Sequence, residues 1–174
     1  MKLKPIISNR LILRPFTLSD AQEVVNLAGD RRVSEMTLNI PYPYSLEAAQ
    51  DWIALHAEQW SNKESLVLAI EKRDTEELVG TVSLVSIEGN KAEIGYWMGH
   101  PYWGNGYCTE AVNCLIRFME YSHGINHFSA EHLASNPASG RVMIKNGMQF
   151  IASILKKDRH GNEVKIETYD RKNT

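Results

Sequence analysis

The chain has 174 residues, of which 43% are hydrophobic and 23% charged, with a formal net charge of −2. That size and mixture fit one globular domain over residues 1–174 with room for a proper core, and the near-neutral charge gives no reason to expect a nucleic-acid partner. No apolar run approaches the ~20 residues of a membrane span, and the opening MKLKPIISNR lacks the hydrophobic region of a secretory signal. Two cysteines, Cys108 and Cys114, form neither a disulfide framework nor a common metal motif. A cytoplasmic protein is the default reading.

In SNRLILRPF, Leu11 and Leu13 alternate with Ile12 and Arg14, which predicts a first strand ending at Pro15. Ser19 with Gln22 three residues later is a capping-box pattern. Ala21, Val24, Val25 and Ala28 then share one face of a helix that Gly29 ends. Residues 30–44 are irregular, because Pro41 and Pro43 around Tyr42 forbid a regular helix in NIPYPY. That stretch reads either as a plain surface connection or as an aromatic wall for an acceptor substrate. Ser45 caps a helix from Leu46 to about Asn62, with Ala49, Trp52, Ile53, His56 and Trp60 as its inward stripe.

Three strands follow in quick succession, over residues 66–72, 78–87 and 91–98. Their short polar connections, DTEE and EGN, predict two hairpins, and Gly80 marks a candidate bulge. A helix opening at Thr109 or its neighbours carries Glu110 in its first turn and Ala111, Leu115, Phe118 and Met119 on one face. Residues 127–133 form a strand. Asn136 and Pro137 then open a helix to about Lys145, with Gly147 as its stop. Residues 149–157 and 163–171 are the last two strands, joined by the turn DRHGN. The order β-α-α-β-β-β-α-β-α-β-β is not a repeating βα series, so it predicts an α+β fold with a mixed sheet flanked by helices.

The loop GHPYWGNGYC joins the strand at 92–98 to the helix that follows, and it holds Gly99, Gly104 and Gly106. Glycines let a backbone approach a ligand closely. The first-turn amides of a helix lack intrahelical acceptors and sit at the positive end of its dipole. A strand, a glycine loop and a helix start therefore make a site for a phosphate or pyrophosphate. The loop is not a Walker loop, because Gly106 is followed by Tyr107-Cys108-Thr109 with no lysine. Nor is it a Rossmann loop, because Thr109 stands where the third glycine belongs.

The segment EIGYWMGHPYWGNGYCTEA instead resembles the acetyl-CoA loop of the GNAT acetyltransferases, in the branch related to the ribosomal-protein N-acetyltransferases. The family pattern Arg/Gln-x-x-Gly-x-Gly/Ala falls on Trp103-Gly104-Asn105-Gly106-Tyr107-Cys108. Gly106 matches the central glycine. Trp103 replaces Arg or Gln, as is usual in this branch, and Cys108 replaces the final small residue. A second motif lies in ASNPASGRVMIKNGMQF. Its Asn136, Ser139, Lys145 and Gly147 stand at the spacing of the family's Asn-x-x-Ser/Ala…Lys-x-Gly-Phe segment, with Met148 for Phe. The element order also matches the GNAT fold, so the resemblance covers nearly the whole chain.

The resemblance implies an acetyl-CoA-dependent N-acetyltransferase that transfers acetyl directly to a primary amine. The acceptor would be the α-amine of a protein or peptide, or a small amine; no metal is implied. The mostly antiparallel GNAT sheet splays open beside its fourth strand. The resemblance therefore lays the pantetheine arm along Trp97 and Met98, with a backbone amide near Met98 on the thioester carbonyl. It puts the pyrophosphate on the loop Trp103, Gly104, Asn105, Gly106, Tyr107, Cys108 and Thr109, and Asn136 on the pantetheine.

Acetyl transfer also needs a neutral amine and a proton for the leaving thiolate. Many GNAT enzymes carry a tyrosine seven residues after the position of Asn136. Here that place is Met143, and the resemblance favours Ser139 as the substitute donor. Read alone, Ser139 is a first-turn serine satisfying local backbone. Glu93, Glu131 and the neighbouring His132 are the candidate bases, although Glu93 reads equally as a solvated strand-start carboxylate. Strand alternation sets Glu131 and His132 on opposite faces. An acceptor α-amine, with a pKa of ~7.7–8.0, needs little help from a base. Glu110 reads as favourable charge at a helix N-terminus, and His100 as a turn residue bordering the loop. No His/Asp/Glu cluster has metal spacing, and no G-x-S-x-G is present. Two other classes stay open: a catalytically weak acyl-CoA-binding module, and an interaction protein that kept only the fold. The resemblance also leaves a homodimer open.

Overall fold

The computed structural model describes residues 3–173. Its elements run β1 (Ile6–Ile7), β2 (Leu11–Pro15), α1 (Ala21–Ala28), α2 (Arg31–Glu35), α3 (Leu46–Ser61), β3 (Leu66–Lys72), β4 (Leu78–Glu88), β5 (Lys91–Met98), α4 (Tyr107–His123), β6 (His127–Leu133), α5 (Pro137–Lys145), β7 (Gln149–Lys157) and β8 (Glu163–Lys172). The eight strands form one sheet in the order β1-β2-β3-β4-β5-β6-β8-β7. β5 and β6 run parallel, and every other neighbouring pair is antiparallel. The mixed, mostly antiparallel α+β sheet expected from the element order is the one that forms.

Strand alternation divides the interior into two cores. On one face, Leu68, Ile70, Val82 and Leu84 meet Ala111, Leu115, Ile116 and Met119 of α4. On the other, Ala69 and Leu78 meet Val24 and Ala28 of α1 and Ala49 and Ile53 of α3. Each helix thus buries an apolar stripe against every second residue of the sheet. Both predicted hairpins form, β3 with β4 and β4 with β5. The register skips Val79, beside Gly80, so the bulge lies one residue before the glycine that flagged it.

Three local features differ from expectation. β1 was not foreseen. It has only two residues and exists by pairing Ile6 and Ile7 with Leu13 and Ile12. α2 interrupts the stretch read as irregular. Asp30 caps it by accepting from the Arg32 amide at 2.9 Å, but five residues are too few to show a helical period. The Ser19–Gln22 box does not form. A 3-10 turn, Leu18–Asp20, precedes α1, and the Asp20 carboxylate accepts the Thr17 amide at 2.8 Å. As expected, α4 opens close to Thr109, at Tyr107, with left-handed Gly106 as its cap.

One feature of the sheet positions the site. β5 pairs with β6 only from Lys91 to Ile94, opposite His127 to Ala130. Beyond that point, Gly95, Tyr96, Trp97 and Met98 keep only β4 as a neighbour. The sheet opens into a wedge there, as the splayed fold requires.

Candidate active site

The backbone at the end of β5 is turned into this wedge. The Gly99 amide donates to the Val79 carbonyl at 2.8 Å, which directs Gly99 toward β4. Successive residues of a strand point their amides to opposite sides, so the Met98 amide and carbonyl face away from β4, into the gap. The indole Nε1 of Trp103 donates to that carbonyl at 2.7 Å, which leaves the amide as the group facing the gap.

A cavity of about 700 Å³ opens at the wedge. Glu93, Trp97, Met98, Trp103, Gly104, Gly106, Tyr107, Cys108, Thr109, Asn136 and Ser139 line it, as do Glu131 and His132. Asn105 does not. Its side-chain amide donates to the Tyr102 and Trp103 carbonyls at 3.0 and 3.2 Å, which ties the loop to itself.

The glycine loop closes one end of the cavity. Gly104 and Gly106 have φ of +77° and +76°, a conformation that side chains with a Cβ resist. The first turn of α4 then presents its orphan amides from Tyr107 onward. Arg10 braces the loop from outside. Its Nη1 donates to the Asn105 carbonyl at 2.9 Å, its guanidinium carbon lies 4.7 Å from the centre of the Tyr107 ring, and its Nε meets Glu110 Oε2 at 2.7 Å. Glu110 also accepts from the Arg10 amide and the Ser8 hydroxyl, each at 2.8 Å. Burial would raise its carboxyl, but these hydrogen bonds and the Arg10 charge hold it below the ordinary range. Glu110 is therefore turned outward, away from any anion on the loop.

The opposite wall carries a hydroxyl pair. The Ser139 Oγ donates to the Tyr96 phenol oxygen at 3.0 Å, and Tyr96 donates to the Ser139 carbonyl at 2.8 Å. Burial pushes the Tyr96 phenol far above its usual value, so it keeps its proton. The Glu93 carboxyl is raised by burial and by the nearby Glu131 charge, with Lys156 opposing. Glu131 itself is held by Lys156 Nζ at 2.7 and 2.8 Å, while His132 lies under α5 with its Nε2 3.4 Å from the Tyr169 hydroxyl. The two neighbours engage different partners, as strand alternation predicts. Glu93 is the less encumbered carboxylate.

The chain matches the Acetyltransferase (GNAT) domain over residues 10–149. It belongs to the GNAT acetyltransferase family. The uncharacterized N-acetyltransferase YoaA of Bacillus subtilis is 30% identical over 148 residues, covering 83% of each chain. The ribosomal-protein-serine acetyltransferase of Escherichia coli is 34% identical over 74 residues, 41% of each chain. The structure of RimL, a ribosomal L7/L12 alpha-N-protein acetyltransferase in complex with coenzyme A, shares the fold with a TM-score of 0.88, at 19% identity over 97% of this chain and 98% of that one. The protein is thus a GNAT N-acetyltransferase.

Within that family frame, the other expected residues find definite places. Asn136 lines the cavity while its Nδ2 donates to the Met36 carbonyl at 3.2 Å, tying the start of α5 to the end of α2. Cys108 packs against the α4 core, and burial pushes its thiol up to about 12. His100 lies in a 3-10 turn, His100–Tyr102, against the Trp103 ring, and does not line the cavity. Asn39 and Ile40 line the cavity, whereas Tyr42 borders a second hollow. Among the described residues, no group of three or more His, Cys, Asp or Glu stands close enough to hold a metal ion. No helix among them is long and apolar enough to cross a membrane.

Two residues of the site escaped sequence reasoning. Arg10 lies 95 positions from the loop carbonyl it braces, and nothing local marks it. Tyr96 sits two residues before Met98 and so shares its strand face, a signal that alternation alone carries.

Proposed function

We propose that this GNAT enzyme transfers acetyl from acetyl-CoA directly to a primary amine. The observation that carries the proposal is the wedge after Ile94, which ends against the Gly104–Gly106 loop. The groups present fit acetyl-CoA in kind. An inward amide at Met98 suits an amide-rich pantetheine arm. Orphan amides from Tyr107 onward suit a pyrophosphate. The cations Arg141 and Lys145 line the same cavity and suit further phosphate charge.

The residues take complementary roles. The Met98 amide donates to the thioester carbonyl oxygen as negative charge builds there. The amine nitrogen bonds to the carbonyl carbon, and the carbon–sulfur bond breaks. Ser139 donates a proton to the departing sulfur and is held in place by Tyr96. Glu93, raised by burial, takes the proton that the amine loses, directly or through water.

The amine reaches the thioester from a second hollow of about 670 Å³. It shares Thr37, Leu38, Leu133 and Ser135 with the first cavity and lies between α2 and the β7–β8 turn. The names of the E. coli relative and of RimL support testing protein N-termini first, ahead of small amines.

Steady-state kinetics with a panel of N-terminal peptides, read by release of the free thiol, tests this reading. Intersecting double-reciprocal lines are expected for a ternary complex. Parallel lines, or no acceptor-dependent release across peptides and small amines, would overturn it.

A further inference from the structure

The second hollow, between α2 and the β7–β8 turn, is unevenly charged. Arg31, Arg159 and Lys165 line it together with two carboxylates, Glu35 and Asp158. Both carboxylates are already engaged. Asp158 accepts the Asn162 and His160 amides of its own turn at 2.9 and 2.8 Å, and these bonds hold its carboxyl below the ordinary range. Glu35 accepts from Arg31 Nε at 2.8 Å, one helical turn away. The two arginines are not used up in this way. Arg31 gives Glu35 only its Nε, and its two Nη groups have no hydrogen-bond partner among the described residues. Its guanidinium carbon stands 5.9 Å from the centre of the Tyr42 ring, which lines the same hollow. Arg159 donates from Nε to His160 Nε2 at 3.1 Å and meets no carboxylate among the described residues. Lys165 Nζ lies 3.3 Å from Glu167.

We infer, building on the acetyl transfer proposed above, that the acceptor is a peptide N-terminus with an acidic side chain among its first few residues, and that Arg31 and Arg159 bind that carboxylate. An arginine fork matches the two oxygens of a carboxylate with parallel N–H donors. A basic side chain in the same place would face two like charges, so the hollow selects against cations as well as for anions. The proposed base, Glu93, lines the first cavity, whereas Arg31 and Arg159 line only the second. The acceptor's amine and its carboxylate are therefore held apart. A free amino acid carries its carboxylate beside its amine, next to Glu93. An acidic side chain further along an extended peptide, at ~3.3 Å per residue, sits out in the hollow. Leu38, Ala134 and Val164 supply apolar wall for the chain between.

Thiol-release kinetics on matched peptides, with Asp, Ala or Lys placed in turn at the second, third and fourth residues, test the inference. At one of these places the aspartate peptide is expected to exceed its alanine match about tenfold in kcat/KM, through KM, with the lysine peptide lowest. Added salt is expected to narrow the gap. Arg159→Glu is expected to reverse the order while keeping the melting temperature and the acetyl-CoA titration curve. Arg31→Ala, which also releases Glu35 into the hollow, is expected to weaken the preference in the same direction. Calorimetric titration of the aspartate peptide into protein saturated with desulfo-CoA reads binding without turnover. Binding that Arg159→Glu abolishes, with no thiol release from acetyl-CoA, would support the anion site and overturn the transfer reaction instead. Equal kcat/KM for the three peptides, an order unchanged by Arg159→Glu, or a free amino acid that surpasses every peptide overturns the inference and leaves acetyl transfer standing.

Discussion

The Ser139 hydroxyl donates to the phenol oxygen of Tyr96 across 3.0 Å, and Tyr96 returns a hydrogen bond to the Ser139 carbonyl at 2.8 Å. If Ser139 supplies the proton to the departing thiolate, Ser139→Ala lowers kcat about 100-fold and leaves acetyl-CoA affinity within about twofold. Tyr96→Phe removes the acceptor that orients Ser139 without removing the donor, so its kcat loss is expected to be smaller, about 10-fold. Rapid-quench measurement of the chemical step separates these from slow product release. Equal losses in both variants would make Tyr96 the donor.

Arg10 and Glu110 form the brace behind the anion loop. Arg10→Ala removes the donor to the Asn105 carbonyl and leaves Glu110 without its main partner. The expected result is a three- to tenfold weaker acetyl-CoA Kd and a stability loss of about 1 kcal/mol. Chemical denaturation and calorimetric titration on the same variant check both. Arg10→Lys is expected to recover the charge but not the fork between Glu110 and Asn105.

The environment of Glu93 predicts a pH effect with a definite sign. Burial and the Glu131 charge raise the Glu93 carboxyl, and Lys156 opposes them. Lys156→Ala removes the opposing cation and frees the full Glu131 charge. The Glu93 carboxyl then rises further, and the acidic limb of the kcat–pH profile is expected to move to higher pH. Glu93→Gln should abolish that dependence on Lys156. An unshifted limb in Lys156→Ala would remove Glu93 from the proton path.

His56 sets an acid-stability limit. It lies between the Phe16 and Trp52 rings, and neither ring nitrogen has a hydrogen-bond partner. Burial lowers it from 6.5 to about 4. Between those values the unfolded chain takes up a proton that the folded chain refuses, so stability falls as pH drops from about 6.5 to about 4. After allowance for partial exposure the loss is about 1–2 kcal/mol. His56→Phe is expected to flatten this part of the stability–pH curve, measured by urea denaturation at pH 7 and pH 4.5. An identical slope in both proteins would refute the assignment.

Most of this architecture is local and so was legible in the chain. The Gly104–Gly106 loop, Ser45 before α3 and Asn136-Pro137 before α5 are short-range signals, and the structure places an element boundary at each. β1 and α2 were invisible because two and five residues carry no usable period. The brace by Arg10 and the Ser139–Tyr96 pair were invisible for a different reason. Each joins residues far apart in sequence, and only the folded sheet brings them together.

The measurement that bears most directly on the account is isothermal titration of the chain with acetyl-CoA, with desulfo-CoA and inorganic phosphate as controls. Saturable one-site binding is predicted. Gly106→Glu should weaken it at least 100-fold, because the substitution strains a residue at φ +76° in the anion loop and sets a carboxylate beside the Arg10 guanidinium that braces that loop. Absence of binding at millimolar acetyl-CoA by the folded chain, or equal binding by Gly106→Glu, would contradict the claim that the wedge and its loop hold acetyl-CoA.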